Sequence, residues 1–248
     1  MTPEDATTVS IPEIIDSDIL IEEETTEAYK PKNWYPVRLG EVLNDRYKVV
    51  GKLGYGGSST IWLCRDLRKD DEYVIVKVYI NNLKWQREIP IYEHIASLKS
   101  RHSGLQCVRR MLDSFEILKP GVRHFCLVHE ALGVDLEYLR DFMRRNDQQR
   151  MHPDMIRQLL RPILRALHFL HEEAHIVHTD IQLKNILMNV VNPEPFARFD
   201  YVYLNVTHPV IARLVPSNLI LKQVFDHLIF PPVFILPLAT LKNIAKTS

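Results

Sequence analysis

The spacing of apolar positions changes character near residue 47. Residues 1–32 are acidic and rich in Thr, with scattered apolar positions, and this composition predicts a disordered tail. Short runs of β-branched and aromatic residues follow, and they predict the strands of an antiparallel sheet. These runs are residues 47–53, 60–65, 73–80, 110–118 and 124–130.

Three stretches have the periodicity of amphipathic helices. Residues 84–100 lie between the third and fourth strand runs, and residues 135–145 and 153–173 follow the fifth. Pro153 suits the first turn of its helix, whereas Pro162 removes an interior hydrogen bond and predicts a kink. This order of elements predicts an α+β fold in which a sheet-containing lobe precedes a helical one.

The charge is distributed unevenly along the 248 residues, although the formal net charge is zero. Residues 1–29 contain nine acidic residues and no Lys or Arg, so the remainder is net positive. A net-positive body favours anionic ligands such as nucleotides or acidic peptides. The alternative interpretation is a solvated acidic tail beside an ordinary basic surface.

The cysteines and the apolar segments limit the class of protein. The three cysteines, Cys64, Cys107 and Cys126, have no C-x-x-C spacing, which argues against a disulfide framework or a zinc site and fits a reducing compartment. Residues 1–10 lack the features of a secretory signal. The longest uncharged apolar stretch, residues 228–241, has 14 residues and three prolines. A membrane span needs about 20 residues, so we expect no membrane partner.

A glycine-rich segment, residues 53–61, joins the first two predicted strands. Glycines let the backbone approach a phosphate closely, and backbone amides can donate to its oxygens. A strand follows the glycines, as in the kinase glycine-rich loop, whereas a dinucleotide fingerprint would open a helix. Ser59 stands where that pattern has its third glycine. A plain hairpin turn is the alternative.

A lysine lies within the third apolar strand run. Lys77 is flanked by Val76 and Val78, and a charge in such a strand needs a partner. A phosphate together with a carboxylate from the next helix would supply one, from Glu88 or from Glu93. The alternative is a lysine whose head group extends from the strand end into solvent.

A third motif follows the long helix. The segment from His178 to Asn185 matches the pattern H-R-D-L-x-x-x-N at its His, Asp and Asn positions. Asp180 can accept a proton from a substrate hydroxyl, and Asn185 can ligate a metal. An Asp and an Asn at this spacing mean little alone. Together with the glycine-rich segment and Lys77, in this order, they indicate a protein kinase.

These residues resemble the protein kinase superfamily and, within it, the SR-protein kinases, especially the fungal ones. The resemblance covers residues 33–190 and rests most specifically on Trp62 and on the H-T-D sequence at residues 178–180. It implies a bilobal fold whose N-lobe has a five-stranded antiparallel sheet plus helix C. It further implies a serine/threonine protein kinase that transfers the ATP γ-phosphoryl group to Arg/Ser-rich splicing factors.

The resemblance also implies cofactors, partners and site residues. ATP and Mg²⁺ would be used by a monomer in the cytoplasm and nucleus, with no direct nucleic-acid partner. Lys77 would hold the α- and β-phosphates, Glu88 would orient it, Asp180 would be the catalytic base and Asn185 a metal ligand. His129 would be the gatekeeper before a hinge that includes Ala131. The nucleotide-binding residues would be Leu53, Gly54, Tyr55, Gly56, Gly57, Ser58, Ser59, Ile61, Lys77, Glu130 and Leu132.

Four departures from the family pattern matter. Thr179 replaces the arginine that pairs with an activation-loop phosphate, so we expect no need for that phosphorylation. Gln182 replaces a lysine that neutralises the γ-phosphate, and Lys184 is a partial substitute. No glycine follows Gly133, so the metal-binding D-F-G motif is absent, and Asp200 is the nearest candidate. No A-P-E motif is present either.

These departures predict that only part of the chain after the tail forms a kinase domain. We expect an N-lobe at residues 33–130, a partial C-lobe with the catalytic loop at 131–200, and a segment without family resemblance at 201–248. A truncated C-lobe would leave the apolar face of the long helix partly uncovered. The alternative function is a catalytically impaired nucleotide-binding or docking fragment. A small-molecule phosphotransferase is a third hypothesis, against which Trp62 argues.

Overall fold

The structure is a computed structural model in which most of the chain before residue 191 is described. The described residues are 19–70, 72–81, 88–145, 151–190, 196–197, 234–235 and 241–243. Asp200 and the other candidate positions after residue 197, apart from two short strands, lie outside this part of the chain.

One six-stranded antiparallel sheet dominates the N-terminal half. Its strands are β1 (Val42–Leu43), β2 (Tyr47–Gly56), β3 (Ser59–Asp66), β4 (Glu72–Tyr79), β5 (Met111–Lys119) and β6 (Val122–Glu130). They lie in the order β1-β2-β3-β4-β6-β5. All five strands predicted from the sequence are present. The sixth, β1, contributes two residues that pair with the start of β2.

The period-two pattern of β4 divides the sheet into two faces. Val74, Val76 and Val78 belong to one buried cluster, and Ile75 belongs to another. The first cluster is covered by residues 35–39, which precede the sheet in sequence. The second faces the remainder of the protein, and Lys77 shares this side of β4.

Three helices follow the pattern expected from the sequence. The predicted helix at residues 84–100 is described as α1 from Glu88–Ser97, because residues 82–87 lie outside the described chain. Helix α2 is Leu136–Arg145 and α3 is Pro153–Glu172. Their apolar side chains form the main core together with residues 105–108 and 186–188.

Helix α3 contains both of the prolines singled out in the sequence. Pro153 occupies the first turn, as predicted, and Pro162 lies inside a helix that runs as one element from Pro153 to Glu172, so the kink at Pro162 stays a prediction. One face is buried in the core through residues such as Phe169. Ile156 and Leu160 remain exposed, so the prediction of a partly uncovered apolar face is confirmed.

Segments at both ends of the chain contact the lobes. Residues 19–32, part of the predicted disordered tail, contain a 3₁₀ turn at Glu22–Thr25, and a second turn covers Pro31–Asn33.

After α3 come β7 (Ile176–His178) and β8 (Ile186–Leu187). Two C-terminal strands pair with them in antiparallel fashion. These strands are β9 (Phe234–Ile235), which pairs with β8, and β10 (Leu241–Asn243), which pairs with β7. None of the described helices is long and apolar enough to cross a membrane.

Gly104 allows the segment after α1 to approach α3. A Cβ atom on Gly104 would lie 1.9 Å from the backbone oxygen of Arg165, which neither backbone can accommodate. We therefore expect Gly104→Ala to lower the free energy of unfolding by about 3 kcal/mol, the upper range for overpacking. Urea unfolding followed by circular dichroism measures this loss.

Gly57→Ala is the matched control, because a Cβ there meets nothing within 4 Å in the described residues. Its unfolding free energy should stay within about 1 kcal/mol of the parent. Equal stability of the Gly104 variant and the parent would contradict the packing described here.

Candidate functional site

The glycine-rich segment forms the hairpin between β2 and β3. Tyr55 pairs with Thr60 and Gly56 pairs with Ser59, so the connection is short. Among the described residues, a Cβ on Gly54 or on Gly57 would meet no atom within 4 Å. Packing within the chain therefore does not require glycine at these two positions. The open space beside them leaves room for a ligand to approach the backbone.

Lys77 and Glu88 form the ion pair predicted from the sequence. Lys77 Nζ lies 2.9 Å from Glu88 Oε1 and 3.2 Å from Oε2. Glu88 is the first described residue of α1. The alternative partner, Glu93, is exposed. The sheet and α1 are thereby joined at one charged contact.

Burial governs the electrostatics of this pair. The side chains of Lys77 and Glu88 are 16% and 4% exposed. Burial lowers the pKa of Lys77, and the neighbouring Glu88 carboxylate opposes that shift. The ammonium also lies 4.6 Å from the centroid of the Tyr79 ring. Burial and the Glu88 carboxylate raise the pKa of Tyr79, so the phenol stays neutral.

The predicted hinge begins at the end of β6. Glu130 accepts a hydrogen bond from Arg110 Nε at 2.7 Å, and its backbone oxygen accepts one from Arg109 Nη2 at 3.2 Å. Leu132 is buried, and the next residue, Gly133, donates its N–H to Met188 O at 2.9 Å. The hinge is therefore connected to the strand that follows the catalytic loop.

Two buried groups behind the hinge were not recognised in the sequence as a unit. The predicted gatekeeper His129 donates from Nδ1 to Arg110 O at 2.9 Å, because a carbonyl can only accept. Burial and the charge of Arg109 place the pKa of His129 well below its usual value, so it is neutral. Burial also lowers the pKa of Arg109 to about 10. The region behind the hinge thus contains a buried guanidinium beside a neutral imidazole.

The predicted catalytic loop lies between β7 and β8 and holds Asp180 by hydrogen bonds. Asn185 Nδ2 donates to the backbone oxygen of Asp180 at 2.8 Å and to Oδ2 at 2.9 Å. Asp180 N–H donates to His178 Nδ1 at 3.2 Å. The Asp180 side chain is exposed while Asn185 is buried. The carboxylate is therefore accessible and fixed in orientation.

Gln182 has a contact that the sequence did not predict. Its Nε2 donates to Asp180 Oδ1 at 2.5 Å. Each carboxylate oxygen of Asp180 therefore accepts one amide hydrogen bond, from Gln182 and from Asn185. Lys184, expected as a partial substitute for a phosphate-neutralising lysine, is exposed.

The loop offers few ligands for a divalent metal. Mg²⁺ in proteins usually combines one or two carboxylates with phosphate oxygens and waters. Asp180 and Asn185 are close enough to contribute together, since Asn185 uses its nitrogen on Asp180 and keeps its amide oxygen for other contacts. The described residues contain no group of three His, Cys, Asp or Glu that could hold a metal ion. The donor set therefore fits a metal that arrives with a phosphate ligand, and does not form a complete cage.

Phe196 is a further residue that sequence reasoning missed. It is buried against Val50, Leu63 and Ile75, in the cluster that also includes the predicted nucleotide-binding residues Leu53 and Ile61. Its ring centroid lies 5.8 Å from that of Tyr73. An aromatic side chain that follows the catalytic loop by 11 residues thus packs on the side of the sheet that carries Lys77. No local sequence pattern predicts that Phe196 packs against the sheet.

Comparison with known proteins places this arrangement in a family. Residues 47–195 match the protein kinase domain. A serine/threonine protein kinase of Aspergillus fumigatus is 40% identical over 167 residues, covering 67% of this chain and 42% of that protein. SRSF protein kinase 3 of Mus musculus is 30% identical over 173 residues, covering 68% of this chain and 30% of that protein. The chain thus spans less than half the length of either relative.

A solved structure agrees with the sequence relatives. The crystal structure of a kinase domain superposes with a TM-score of 0.52 at 25% identity, over 63% of this chain and 44% of that chain. The likeness confirms the predicted kinase-like fold.

Removing the carboxylate that compensates the Lys77 charge tests the ion pair through its effect on stability. Glu88→Gln removes the negative partner and leaves a buried cation without compensation, which costs about 3 kcal/mol of unfolding free energy. Chemical denaturation of parent and variant measures the difference. Glu93→Gln, on the same helix but exposed, is the control and should change stability by less than about 0.5 kcal/mol. A larger loss for the Glu93 variant would show that the wrong partner has been identified.

Proposed function

Because the chain belongs to the protein kinase family and its relatives include proteins named SRSF protein kinase, we propose that it binds ATP and phosphorylates Ser or Thr of proteins. The observation that carries this proposal is the Lys77–Glu88 ion pair, at 2.9 Å, on the side of the sheet below the glycine-rich hairpin. Such a pair gives a buried ammonium a fixed direction, so that it can receive a phosphate without first losing water.

The N-lobe residues would bind the nucleotide. The glycine positions at Gly54 and Gly57 leave the hairpin backbone open to the phosphates, and Lys77 supplies a positive charge to them. Leu53, Ile61 and Leu132 provide apolar surface for the base, and the backbone of residues 130–132 provides its polar partners. Phosphoryl transfer depends largely on positioning and on charge stabilisation, and these residues supply the positioning.

The catalytic loop would handle the proton. Asp180 is exposed and oriented by Gln182 and Asn185, so one carboxylate oxygen can approach a Ser or Thr hydroxyl and accept its proton as the phosphoryl group is transferred. A divalent metal bound with ATP would neutralise phosphate charge, and Mg²⁺ is the metal we propose. Asn185 and Asp180 are the described residues that would hold it.

The substrate proposal is narrower than the family. Relatives include proteins named SRSF protein kinase, and we infer that this chain also acts on Arg/Ser-rich splicing factors, in the cytoplasm and nucleus. Thr179 stands where other kinases use an arginine to read a phosphate, which supports activity that does not require activation-loop phosphorylation.

A second candidate function is a nucleotide-binding or docking protein with impaired transfer. Strands β9 and β10 pair with the two strands that flank the catalytic loop. The sequence that joins them, Leu-Pro-Leu-Ala-Thr at residues 236–240, contains no carboxylate. Among the described residues only Asp180 and Asn185 are available as metal ligands in the loop, which favours the same candidate. Between an ordinary kinase and a docking protein lies a protein that binds ATP normally and transfers phosphate slowly. This is the outcome that we expect.

The pairing of β9 and β10 beside the catalytic loop and the small number of described metal ligands lead to a prediction about the rate of phosphoryl transfer. We expect this chain to bind ATP and to phosphorylate an Arg/Ser-rich peptide at a rate well below the ordinary kinase range of ~1–100 s⁻¹. Each ~1.4 kcal/mol of lost transition-state stabilisation costs a factor of ten, and a missing metal carboxylate is worth several such factors. Transfer of radiolabelled phosphate from ATP to the peptide, together with equilibrium binding of ATP, measures both quantities.

Asp180→Ala is the blank for this assay, and Asp154→Ala, an exposed aspartate at the start of α3, is its matched control. The control should match the parent in rate. Incorporation equal to the Asp180 blank, with ATP still bound, would select the docking protein over the kinase. Turnover within the ordinary range would overturn the expectation of slow transfer, and absence of ATP binding would overturn both candidates.

A further inference from the structure

An acidic turn before the first strand contacts the glycine-rich hairpin through one lysine. Lys52 Nζ lies 2.6 Å from Glu22 Oε2 and 2.5 Å from Glu23 Oε2. Lys52 is on β2, two residues before Gly54. Its side chain is 12% exposed, and those of Glu22 and Glu23 are 26% and 12% exposed. Partly buried ion pairs are screened less by salt than surface pairs, so this contact has more influence than an ordinary surface salt bridge.

The ammonium of Lys52 contacts both strands of the hairpin. It lies 5.9 Å from the ring centroid of Tyr55 on β2 and 5.9 Å from that of Trp62 on β3. Trp62 is opposite Lys52 in the strand register and donates from Nε1 to Thr60 Oγ1 at 2.8 Å. A carboxylate bound to Lys52 is therefore linked to the two strands that carry the glycine-rich connection.

The acidic turn also has hydrogen bonds of its own. Glu24 Oε2 accepts the Ile21 N–H at 3.2 Å, and Thr25 Oγ1 donates to Glu22 O at 2.7 Å. Glu22 has a φ of +50°, a left-handed conformation that is unfavourable for a residue with a Cβ. Such a conformation persists where the surroundings hold it, and the contact with Lys52 is part of those surroundings.

The same N-terminal segment is attached a second time, beside the hairpin tip. Asn33 O accepts the Asn81 N–H at 2.9 Å, and Lys32 O accepts from Asn81 Nδ2 at 3.0 Å. The preceding residue, Ile80, donates its N–H to Ser58 O at 3.0 Å, at the tip. The segment therefore connects the strand that leads into the glycines with the residues that support the tip.

We propose that Glu22, Glu23 and Lys52 form an electrostatic latch that positions the glycine-rich hairpin for the phosphates of ATP. These are positioning residues, since none of the three is placed against the nucleotide. A glycine-rich connection has few side chains to hold it, so its order depends on contacts at its strands. Holding it in one position lowers the ordering cost of binding. The phosphate-binding role of the hairpin rests on the proposed function, but the latch itself does not.

Hydrogen exchange on the full chain without nucleotide tests the latch directly. In Glu23→Gln, amides of residues 54–60 should exchange roughly threefold faster, the size of effect expected for one partly exposed ion pair. Glu27→Gln removes the same charge from an exposed position of the same segment, and should exchange like the parent.

Binding of ATP and of adenosine separates positioning from general stability. Glu23→Gln and Lys52→Gln should each weaken ATP by roughly threefold and leave adenosine unchanged, because the base is held by the hinge. Lys52→Arg should bind ATP with the affinity of the parent, since arginine keeps both carboxylate contacts. Equal weakening of ATP and adenosine would mean that the contact is only structural and would overturn the proposal.

The two experiments also distinguish this proposal from the proposed function. If the parent binds no nucleotide, the ATP-binding function fails while the exchange experiment still reports on the latch. If residues 54–60 exchange equally fast in the parent and in Glu23→Gln, or if Glu27→Gln loosens them to the same extent, the latch is wrong whatever the protein binds.

Discussion

The need to compensate one buried ammonium determines much of this structure. Lys77 lies in the middle of β4, between valines that face the opposite side of the sheet, and it has little access to water. An uncompensated charge in such a place costs several kcal/mol. Glu88 removes that cost because α1 carries its carboxylate to within 2.9 Å of the Lys77 ammonium. The position of the helix and the chemistry of the site are thus consequences of the same contact.

That requirement places different demands on the two faces of the sheet. The side of β4 that carries Lys77 has to remain partly open for a ligand, so the residues around it, such as Leu53 and Ile61, are only partly buried. The opposite side can be closed, and residues 35–39 close it. The latch on Lys52 belongs to this closed side. A hairpin that is fixed from its closed side can be ordered without any side chain entering the ligand space.

The contacts that could be predicted from the sequence are those with a local signature. The strands follow from period-two runs, and the position of Lys77 before a helix limits its partner to Glu88 or Glu93. Arg46 shows what could not be predicted, because its guanidinium joins Asp66 at 2.7 Å to Asp113 at 3.2 Å across 67 residues of sequence. Phe196 and Gln182 were missed for a related reason. Phe196 lies in no recognisable pattern, and Gln182 lies in the catalytic-loop motif, but the contact that each makes depends on which surfaces meet in space.

Among the described residues, the catalytic loop orders its carboxylate but supplies few metal ligands. Both oxygens of Asp180 accept amide hydrogen bonds, so its orientation does not depend on a metal. A carboxylate held this way can accept a proton, but the amide donors contribute no negative charge to hold a cation. Positioning and charge neutralisation are therefore separable here, because the described loop supplies the first and only part of the second. Since phosphoryl transfer needs both, an ordered Asp180 is compatible with tight geometry and slow chemistry in the same molecule.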